Sequence, residues 1–317
     1  MEAQLHSLVG ILGPTAVGKT RAAIQLAEEF HGEIVSADSR LVYRGMDIGT
    51  AKPTPQEQRR VPHHLIDLVE PGESFSLAQY QQQAYATIAD IHARGKVPYL
   101  VGGSGLYVRA VLDGLAIPRV APNLERRQEL EQEATAALYT RLCQMDPIAA
   151  DRIDPRNKRR IIRAIEVSET AGEPISRLQS ERAPSYRILR IGLTLPREEL
   201  YRRINARVDA MMASGLVEEV KGLIDRGYPL DAPAMSGLGY RQIALYVRGE
   251  ATLDEAVRLL KRDTRRFVHH QYSWFRLDDP RIRWFDLSKA GYDPIRQTAA
   301  NFLRQSPEDV VGGVPRS

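Results

Sequence analysis

Apolar residues along the first 117 positions follow two alternating patterns. Short apolar runs at residues 8–12, 33–37 and 97–101 have the length and composition of buried strands. Between and after them, residues 20–30, 76–94 and 106–112 repeat apolar side chains at the spacing of helices. Strands that alternate with helices predict an α/β fold, in which helices flank a parallel sheet and functional groups gather at the carboxyl ends of the strands.

The pattern changes between residues 118 and 186. Pro118 and Pro122 interrupt the chain, no strand pattern follows, and residues 124–145 and 158–170 are typical of charged amphipathic helices. The alternation then resumes, with strands predicted at 187–195 and 281–287, a helical stretch at 197–226 broken near Gly215, and a long basic helix at 253–275. We therefore predict a core of residues 1–117 and 187–304, a helical insertion domain at 118–186, and a disordered tail at 305–317.

The first strand and the first helix are joined by a sequence that fits the phosphate-binding pattern G-x-x-x-x-G-K-[ST] at every fixed position. Its residues are Gly13, Pro14, Thr15, Ala16, Val17, Gly18, Lys19 and Thr20. A strand, a glycine loop and a helix in this order point backbone N–H groups and a helix N-terminus at one anion. Lys19 would place a point charge between phosphates, and the Thr20 hydroxyl could hold Mg²⁺. The sequence thus predicts a P-loop NTPase-like fold that binds a phosphate ester or a diphosphate, without specifying which.

Three further features could lie near this loop. Asp38 follows the second strand and could accept a proton, although a turn Asp that bonds its own backbone would occupy the same position. The glycine turn at residues 102–105 could offer N–H groups to an anion or a base edge, or it could be a plain tight turn. Arg207 shares a helix face with Arg203 and flanks an apolar stripe, so it could clamp a diphosphate or remain a solvated charge.

Two basic clusters favour a polyanionic partner. The first comprises Arg156, Lys158, Arg159, Arg160 and Arg163, with no acidic residue among them. The second comprises Arg258, Lys261, Arg262, Arg265 and Arg266, with Asp263 as its single acid and several aromatic residues nearby. Basic side chains follow a phosphate backbone and aromatic rings stack on bases. A solvated helix face would explain either cluster alone, but two clusters in a phosphate-loop protein favour nucleic acid.

Composition narrows the class of protein. The 317 residues are 43% hydrophobic and 26% charged, with a formal net charge of +4, as in ordinary soluble globular proteins. The first residues have neither the basic nor the apolar segment of a signal peptide, and no apolar run reaches the length of a membrane span. The single cysteine, Cys143, excludes an intrachain disulfide. We therefore expect a cytoplasmic protein that is not bound to a membrane.

Several blocks of sequence outside the phosphate loop match one known family. The most specific is residues 36–53, SADSRLVYRGMDIGTAKP, and further blocks lie at residues 63–67, 101–107, 203–207 and 239–242. With these residues the chain resembles the tRNA dimethylallyltransferases, also called tRNA isopentenyltransferases or the IPP transferase family, over nearly its whole length. A chance match to all of the blocks is negligible beside a chance match to one loop.

The resemblance implies an alkyl transfer to tRNA. The donor would be dimethylallyl diphosphate and the acceptor N6 of adenine 37, 3′ of the anticodon, in tRNAs that read codons beginning with U. The products would be N6-dimethylallyladenosine and diphosphate. Asp38 would be the general base on N6, while Thr15 or Thr20 and Arg207 would hold the diphosphate. Lys19 and Mg²⁺ would help to stabilise the charge that grows on the leaving oxygens.

The resemblance also implies which residues contact the anticodon stem-loop of the tRNA. They are Asp38, Ser39, Arg40, Leu41, Ser104, Arg126, Arg159, Arg160, Ile161, Ile162, Arg163, Gly239, Tyr240, Arg241 and Gln242. The target base would have to leave its stack to reach the pocket, and the insertion and the basic helices would hold the tRNA during that step. The blocks suit a monomer.

Two departures and three alternatives accompany this interpretation. His269 and His270 stand where the family usually has Lys-Arg, so titratable groups replace fixed charges, and Ser104 stands where the family usually has Thr. A small-molecule kinase would use the same loop, Mg²⁺ and Asp38. A prenyltransferase of free adenine nucleotides would not need the insertion, and a non-catalytic RNA-binding module would leave the loop idle.

Overall fold

The computed structural model describes residues 6–118, 120–121, 123–178, 185–230 and 232–305 of the chain. Its strands are β1 His6–Leu12, β2 Gly32–Ser36, β3 His63–His64, β4 Val97–Gly102, β5 Tyr186–Thr194 and β6 Ile282–Asp286. They form one parallel sheet in the order β3-β2-β4-β1-β5-β6. The predicted α/β fold is therefore confirmed, and each of the five predicted strands is present. The sequence did not predict β3, because a two-residue strand carries no periodicity.

Helices and loops connect the strands. The helices are α1 Lys19–Glu29, α2 Pro55–Arg60, α3 Leu77–Ala93, α4 Gly105–Leu112, α5 Leu124–Gln132, α6 Thr135–Met145, α7 Pro147–Arg152, α8 Lys158–Ala171, α9 Ile175–Leu178, α10 Arg197–Ala213, α11 Leu216–Asp225, α12 Tyr240–Val247, α13 Leu253–Trp274 and α14 Asp293–Arg304. The predicted break near Gly215 is confirmed, since this glycine has a φ of 96° between α10 and α11. The helices α2, α7, α9, α12 and α14 were not predicted.

Residues 124–145 form two helices, so the prediction of a single helix was wrong. The backbone is extended at Glu133 and at Ala134, with ψ angles of 151° and 137°. Neither residue is a glycine or a proline, so the sequence carries no breaker at this point. The break lets Leu130 of α5 and Leu138 and Leu142 of α6 all become fully buried in one apolar cluster.

The chain divides into two compact units, Met1–Val108 with Ser185–Ser317, and Arg109–Pro184. The first unit contains the sheet, with an apolar core built on β1, β5, α1 and α10. The second unit, in its described residues, is helical around a core that includes Leu138, Ile161 and Ile165. The predicted domain limits and the role of residues 118–186 toward tRNA remain predictions. Of the tail predicted to be disordered, residues 306–317 lie outside the described residues.

The register of the sheet places the ends of three strands side by side. Leu12 of β1 is level with Gly102 of β4, and Ser36 of β2 is level with Val101. The Ala37 N–H, just beyond β2, donates to the Val101 carbonyl oxygen at 2.8 Å. Because parallel strands end at the same edge, the phosphate loop, Asp38 and the turn at 102–105 emerge together.

Candidate active site

The phosphate loop needs glycine at its first position for a steric reason. Gly13 has a φ of 140°, and a Cβ atom there would lie 2.4 Å from the carbonyl oxygen of Leu193 on β5. Gly18, with a φ of 112°, ends the loop and precedes α1, which begins at Lys19. Residues 13–20 therefore wrap the N-terminus of α1, where unpaired N–H groups and the helix dipole favour an anion.

Lys19 lies inside this loop. Its Nζ donates to the carbonyl oxygens of Gly13, at 3.0 Å, and of Pro14, at 2.8 Å. Burial lowers the pKa of the Lys19 amine to about 8, with Asp38 opposing this shift and Arg207 adding to it. A desolvated ammonium held by two neutral carbonyls has a strong electrostatic attraction to a bound phosphate group.

Asp38 performs the turn role and keeps a free oxygen. Its Oδ1 accepts from the Arg40 N–H at 2.9 Å, as expected for the turn alternative. Its Oδ2 accepts no hydrogen bond from any residue that the structure describes. Ser104 fixes the same turn, because its Oγ accepts from the Ser39 N–H at 3.0 Å and its N–H donates to the Ala37 carbonyl oxygen at 3.3 Å. Asp38 is thus held in place with one oxygen still available to accept a proton.

A cavity of about 680 Å³ opens beside these residues, and all of its lining belongs to the first unit. Its polar end is lined by Thr15, Asp38, Arg207 and Gln271. The same cavity has an apolar wall formed by Ile204, Val208, Met211, Leu260, Phe267 and Trp274. One cavity therefore joins a phosphate subsite, a carboxylate and a surface for a hydrocarbon group.

Arg207 reaches the phosphate loop, whereas Arg203 does not. The Arg207 Nη1 donates to the Thr15 hydroxyl at 3.4 Å, and loss of solvent lowers the pKa of its guanidinium. Arg203 instead pairs with Glu199 one turn earlier on α10, at 2.8 Å. Of the two arginines that share this helix face, Arg207 is the one placed to contact a diphosphate.

A residue that sequence reasoning did not assign joins the two glycine loops. Gln271 of α13 is buried, its Oε1 accepts from the Thr15 N–H at 2.8 Å, and its Nε2 donates to the Gly103 carbonyl oxygen at 3.0 Å. The only signal in the sequence is its place directly after His269 and His270, where the chain departs from the family pattern.

Within the block at residues 36–53, residues 49–51 line the cavity. Glu219 holds the backbone just before and at the start of this segment. The Glu219 carboxylate accepts from the N–H groups of Asp47 at 2.9 Å, Ile48 at 2.8 Å and Gly49 at 3.0 Å. It also accepts from the Tyr240 hydroxyl at 2.6 Å. One carboxylate on α11 thus accepts four hydrogen bonds, three from successive backbone N–H groups and one from a hydroxyl. A carboxylate has enough lone pairs to accept all four.

Replacing Glu219 by Gln is expected to destabilise the fold by about 1–3 kcal/mol, because an amide nitrogen cannot accept from the Asp47 and Ile48 N–H groups. Urea unfolding of the two proteins measures this difference. Glu218→Gln is the matched control, since Glu218 is the exposed neighbour on the same helix. Equal losses of stability in the two variants would contradict the assigned contacts.

The remaining residues expected to contact tRNA in the first unit are largely engaged with protein. Arg40 donates from Nη1 to the Pro233 carbonyl oxygen at 2.6 Å, and Leu41 is half-buried. Arg241 pairs with Asp263 at 3.0 Å. The side chain of Gln242 is buried, and its Nε2 donates to the same Asp263 carboxylate at 2.9 Å. Gly239, with a φ of 92°, precedes α12 and leaves the backbone of this segment close to the cavity.

In the second unit the predicted tRNA contacts fall into two groups. Arg159 and Arg160 are exposed at the start of α8. Ile161 and Ile162 are buried in the apolar core, so their side chains present no surface. Arg163 donates to Glu166 at 2.6 Å and to the Val120 carbonyl oxygen at 2.9 Å, and Arg126 pairs with Glu129 and Glu169.

The side chains of the basic helix α13 also fall into two groups, those that contact other protein side chains and those that line the cavity. Lys261 and Arg262 form ion pairs with Asp209 and Asp263, and Arg265 lies over the ring of Tyr201. Arg266, Phe267, His270 and Trp274 line the cavity instead. His269 contacts the Tyr201 hydroxyl at 2.9 Å, and the Trp274 indole N–H donates to His270 Nε2 at 3.2 Å.

Comparison with known proteins assigns the chain to a family. Residues 41–278 match the family model described as IPP transferase. The chain belongs to the IPP transferase family. A relative from Roseiflexus sp. (strain RS-1), named tRNA dimethylallyltransferase, is 55% identical over 302 residues, which cover 94% of this chain and 98% of the relative. A relative of the same name from Thermomicrobium roseum is 48% identical over 307 residues, which cover 95% of this chain and 93% of the relative.

Solved structures of the family are similar in fold. The full-length tRNA isopentenylpyrophosphate transferase from Bacillus halodurans is 43% identical, with a TM-score of 0.70 over 94% of this chain and 95% of that one. A eukaryotic dimethylallyltransferase acting on tRNA has a TM-score of 0.84 over 95% of this chain and 80% of that one. At 24% identity, the second similarity concerns the fold alone.

Proposed function

We propose that this chain transfers a dimethylallyl group from dimethylallyl diphosphate to N6 of adenine 37 in tRNAs that read codons beginning with U. The observation that carries the proposal is the cavity itself, because Asp38, Thr15 of the phosphate loop and several apolar side chains line one cavity in a member of the IPP transferase family. Its relatives are named tRNA dimethylallyltransferases, which supports the same reaction.

Asp38 supplies the base. The adenine amino group is a weak nucleophile because its lone pair is delocalised into the ring, so it must lose a proton as the new bond forms. The bond between N6 and the allylic carbon forms while the bond from that carbon to the diphosphate oxygen breaks. The N6 proton passes to the free Oδ2 of Asp38, and diphosphate leaves with the bonding electrons. The hydrogen bond from the Arg40 N–H to Oδ1 holds the carboxylate in position for this transfer.

The phosphate loop stabilises the leaving group. Negative charge grows on the diphosphate oxygens as the carbon–oxygen bond breaks, and Lys19, Arg207 and the amides at the start of α1 offer donors to those oxygens. Alkyl transfer from a diphosphate therefore uses the same anion site that other proteins use for phosphoryl transfer.

The residues around the loop fit a Mg²⁺ ion that arrives with the substrate. The Thr20 hydroxyl has no hydrogen-bond partner among the described residues, and Mg²⁺ at such loops is held by a hydroxyl, waters and phosphate oxygens. No group of three or more His, Cys, Asp or Glu side chains in the described part of the chain is placed to hold a metal ion by itself. When bound, the ion would neutralise charge on the diphosphate.

The apolar wall suits the five-carbon group of the donor. Ile204, Val208 and Met211 occupy successive turns of α10, the helix that also carries Arg207. A substrate with its diphosphate at Arg207 would therefore lay its hydrocarbon against these side chains and exclude water from the allylic carbon. No helix among the described residues is long and apolar enough to cross a membrane.

One incubation tests the reaction. The protein, Mg²⁺ and dimethylallyl diphosphate are combined with unmodified tRNA that carries adenines at positions 36 and 37, and the nucleosides are analysed by mass spectrometry. We expect one added C5H8 unit on one adenosine per tRNA. Two parallel incubations replace the tRNA, one with ATP and one with AMP. Consumption of ATP without RNA would support the kinase alternative, and transfer to free AMP would support the nucleotide prenyltransferase.

The exposed pair Arg159 and Arg160 is expected to contribute to tRNA affinity through phosphate contacts. Replacing both by Ala should raise the KM for tRNA about tenfold and reduce the slope of log Kd against log salt by about two, while the KM for dimethylallyl diphosphate stays unchanged. The matched control removes two exposed arginines elsewhere, Arg59 and Arg304. An unchanged salt slope in the first variant would argue against phosphate contacts at this position.

A further inference from the structure

Gln271 connects two loops that carry the site. The residue is 3% exposed and lies on α13, 256 residues from Thr15, whose N–H donates to the Gln271 Oε1. Its Nε2 donates to the Gly103 carbonyl oxygen in the turn that follows β4. The amide therefore uses its acceptor on the phosphate loop and its donor on the glycine turn.

The packing around this amide is tight. A Cβ atom at Gly103 would lie 2.3 Å from the Gln271 Nε2 and 3.4 Å from the Lys19 Nζ. Gly103, Lys19 and the Gln271 amide thus converge at one point. A small shift of α13 at this position would displace the phosphate loop, because interiors of this density do not absorb displacements.

A primary amide has the chemistry that this position uses. It presents one acceptor and one donor without charge, whereas a carboxylate has no donor and an ammonium has no acceptor. An uncharged acceptor satisfies the Thr15 N–H without placing a negative charge beside the diphosphate. The Lys19 amine lies beside this amide. The charged or titratable groups that line the cavity are Tyr107, Tyr240, His270, Asp38, Asp263, Arg40, Arg207, Arg241 and Arg266.

We propose that Gln271 is a positioning residue, which sets the Thr15 segment of the phosphate loop against the Gly103 turn so that the loop can bind a diphosphate. It acts through Thr15, whose hydroxyl accepts from Arg207, and it does not contact the reacting atoms. The proposal rests on the proposed function, since it assumes that a diphosphate occupies this loop.

Gln271→Glu tests the proposal in the full-length protein. Binding of inorganic diphosphate with Mg²⁺ is measured by calorimetry, without tRNA, near pH 8 and near pH 5. Near pH 8 the variant should bind at least about tenfold more weakly than the wild type, because the carboxylate repels both the Gly103 carbonyl oxygen and the anion. Near pH 5 the ratio to wild type should narrow markedly, since a protonated carboxyl regains one donor and one acceptor.

Two further variants complete the test. Gln83→Glu adds the same charge at an exposed position of α3 and should bind diphosphate like the wild type. Gln271→Met keeps the size without the hydrogen bonds, and its loss should not depend on pH relative to wild type. Two results would overturn the proposal. One is diphosphate affinity within twofold of wild type for either Gln271 variant near pH 8. The other is a Gln271→Glu variant whose diphosphate affinity, relative to wild type, does not improve near pH 5.

The readout separates this inference from the proposed reaction. If the wild type binds diphosphate but transfers no dimethylallyl group, the proposed function fails while the comparison of Gln271 variants still decides its role. In the transfer reaction, Gln271→Met should raise the KM for dimethylallyl diphosphate and leave the KM for tRNA unchanged. Equal changes in both constants would indicate a general loss of structure and count against a positioning role.

Discussion

Replacing Asp38 by Asn is expected to reduce the rate of dimethylallyl transfer by about two to four orders of magnitude, the range that general bases contribute. Asparagine keeps the shape of the side chain, and its carbonyl oxygen can still accept from the Arg40 N–H that holds the turn. It cannot take the proton from N6. The fold and the two substrate sites should therefore persist while the chemical step is lost.

The measurement is single-turnover transfer with saturating tRNA, accompanied by direct binding of tRNA and of diphosphate. Both affinities should stay within about threefold of the wild type, since the change removes only one charge from the cavity rim. Asp225→Asn, at an exposed position near the end of α11, is the control for loss of one aspartate. A variant at Asp38 that retains more than a tenth of the wild-type rate would exclude this residue as the base.

Replacing Lys19 by Ala is expected to reduce kcat/KM for dimethylallyl diphosphate by about two to three orders of magnitude, as for the loss of a preorganised charge on a leaving group. Lys19 is held by two carbonyl oxygens of the phosphate loop, whose Thr15 lines the cavity. We therefore expect its amine to stabilise the charge on a bound diphosphate.

The pKa of Lys19 adds a pH signature. Burial lowers this pKa from 10.5 to about 8, and a bound diphosphate would raise it again because the anion favours the ammonium. Below pH 8 the amine is charged in both states, so it adds no pH dependence. Above pH 8 the free enzyme must take up a proton to bind, so diphosphate affinity should fall by up to about tenfold per pH unit. Lys19→Arg should abolish this fall, because arginine stays charged.

The same shift affects stability with a definite sign. Between pH 8 and 10.5 the unfolded chain still binds the Lys19 proton while the folded chain has released it. Stability rises with pH wherever the unfolded state binds more protons, so the contribution of Lys19 to folding becomes more favourable across this window. The buried ammonium costs stability below pH 8, and a bound diphosphate offsets that cost.

A diphosphate affinity that is flat from about pH 7 to about pH 9.5 would contradict the lowered pKa of Lys19 and its contact with the diphosphate.

The contacts of Gln271 and Glu219 suggest how substrate sites on different helices share one geometry. Gln271 extends from α13 to the phosphate loop, and Glu219 extends from α11 to the rim at residues 47–49. Both side chains hold backbone groups of loops, and both lie on helices from the carboxyl-terminal half of the chain. Loops that carry function are positioned by rigid elements in this way.

Local patterns in the sequence were sufficient for the frame of the site. The run before Gly13, the fixed glycines and Lys19 predicted a strand, a loop and a helix, because each depends on residues adjacent in the chain. Asp38 could be placed beside that loop because parallel strands end at one edge of a sheet. The α/β fold and all five predicted strands were obtained on this basis.

The tertiary structure decided which charges and polar groups are available. Composition cannot distinguish the exposed Arg159 and Arg160 from Arg163 and Arg126, which are engaged with glutamates of the same unit. The division of residues 124–145 into two helices followed from burial of leucines in a common core.

The phosphate loop with Lys19 was determined by neighbours in sequence, and the place of Asp38 followed from the end of a predicted parallel strand. Gln271 meets Thr15 across 256 residues, and Glu219 meets the loop at residues 47–49 across about 170. Such contacts leave no periodicity or spacing in the chain, because they depend on how helices pack once the sheet has formed. Only the tertiary structure could reveal them.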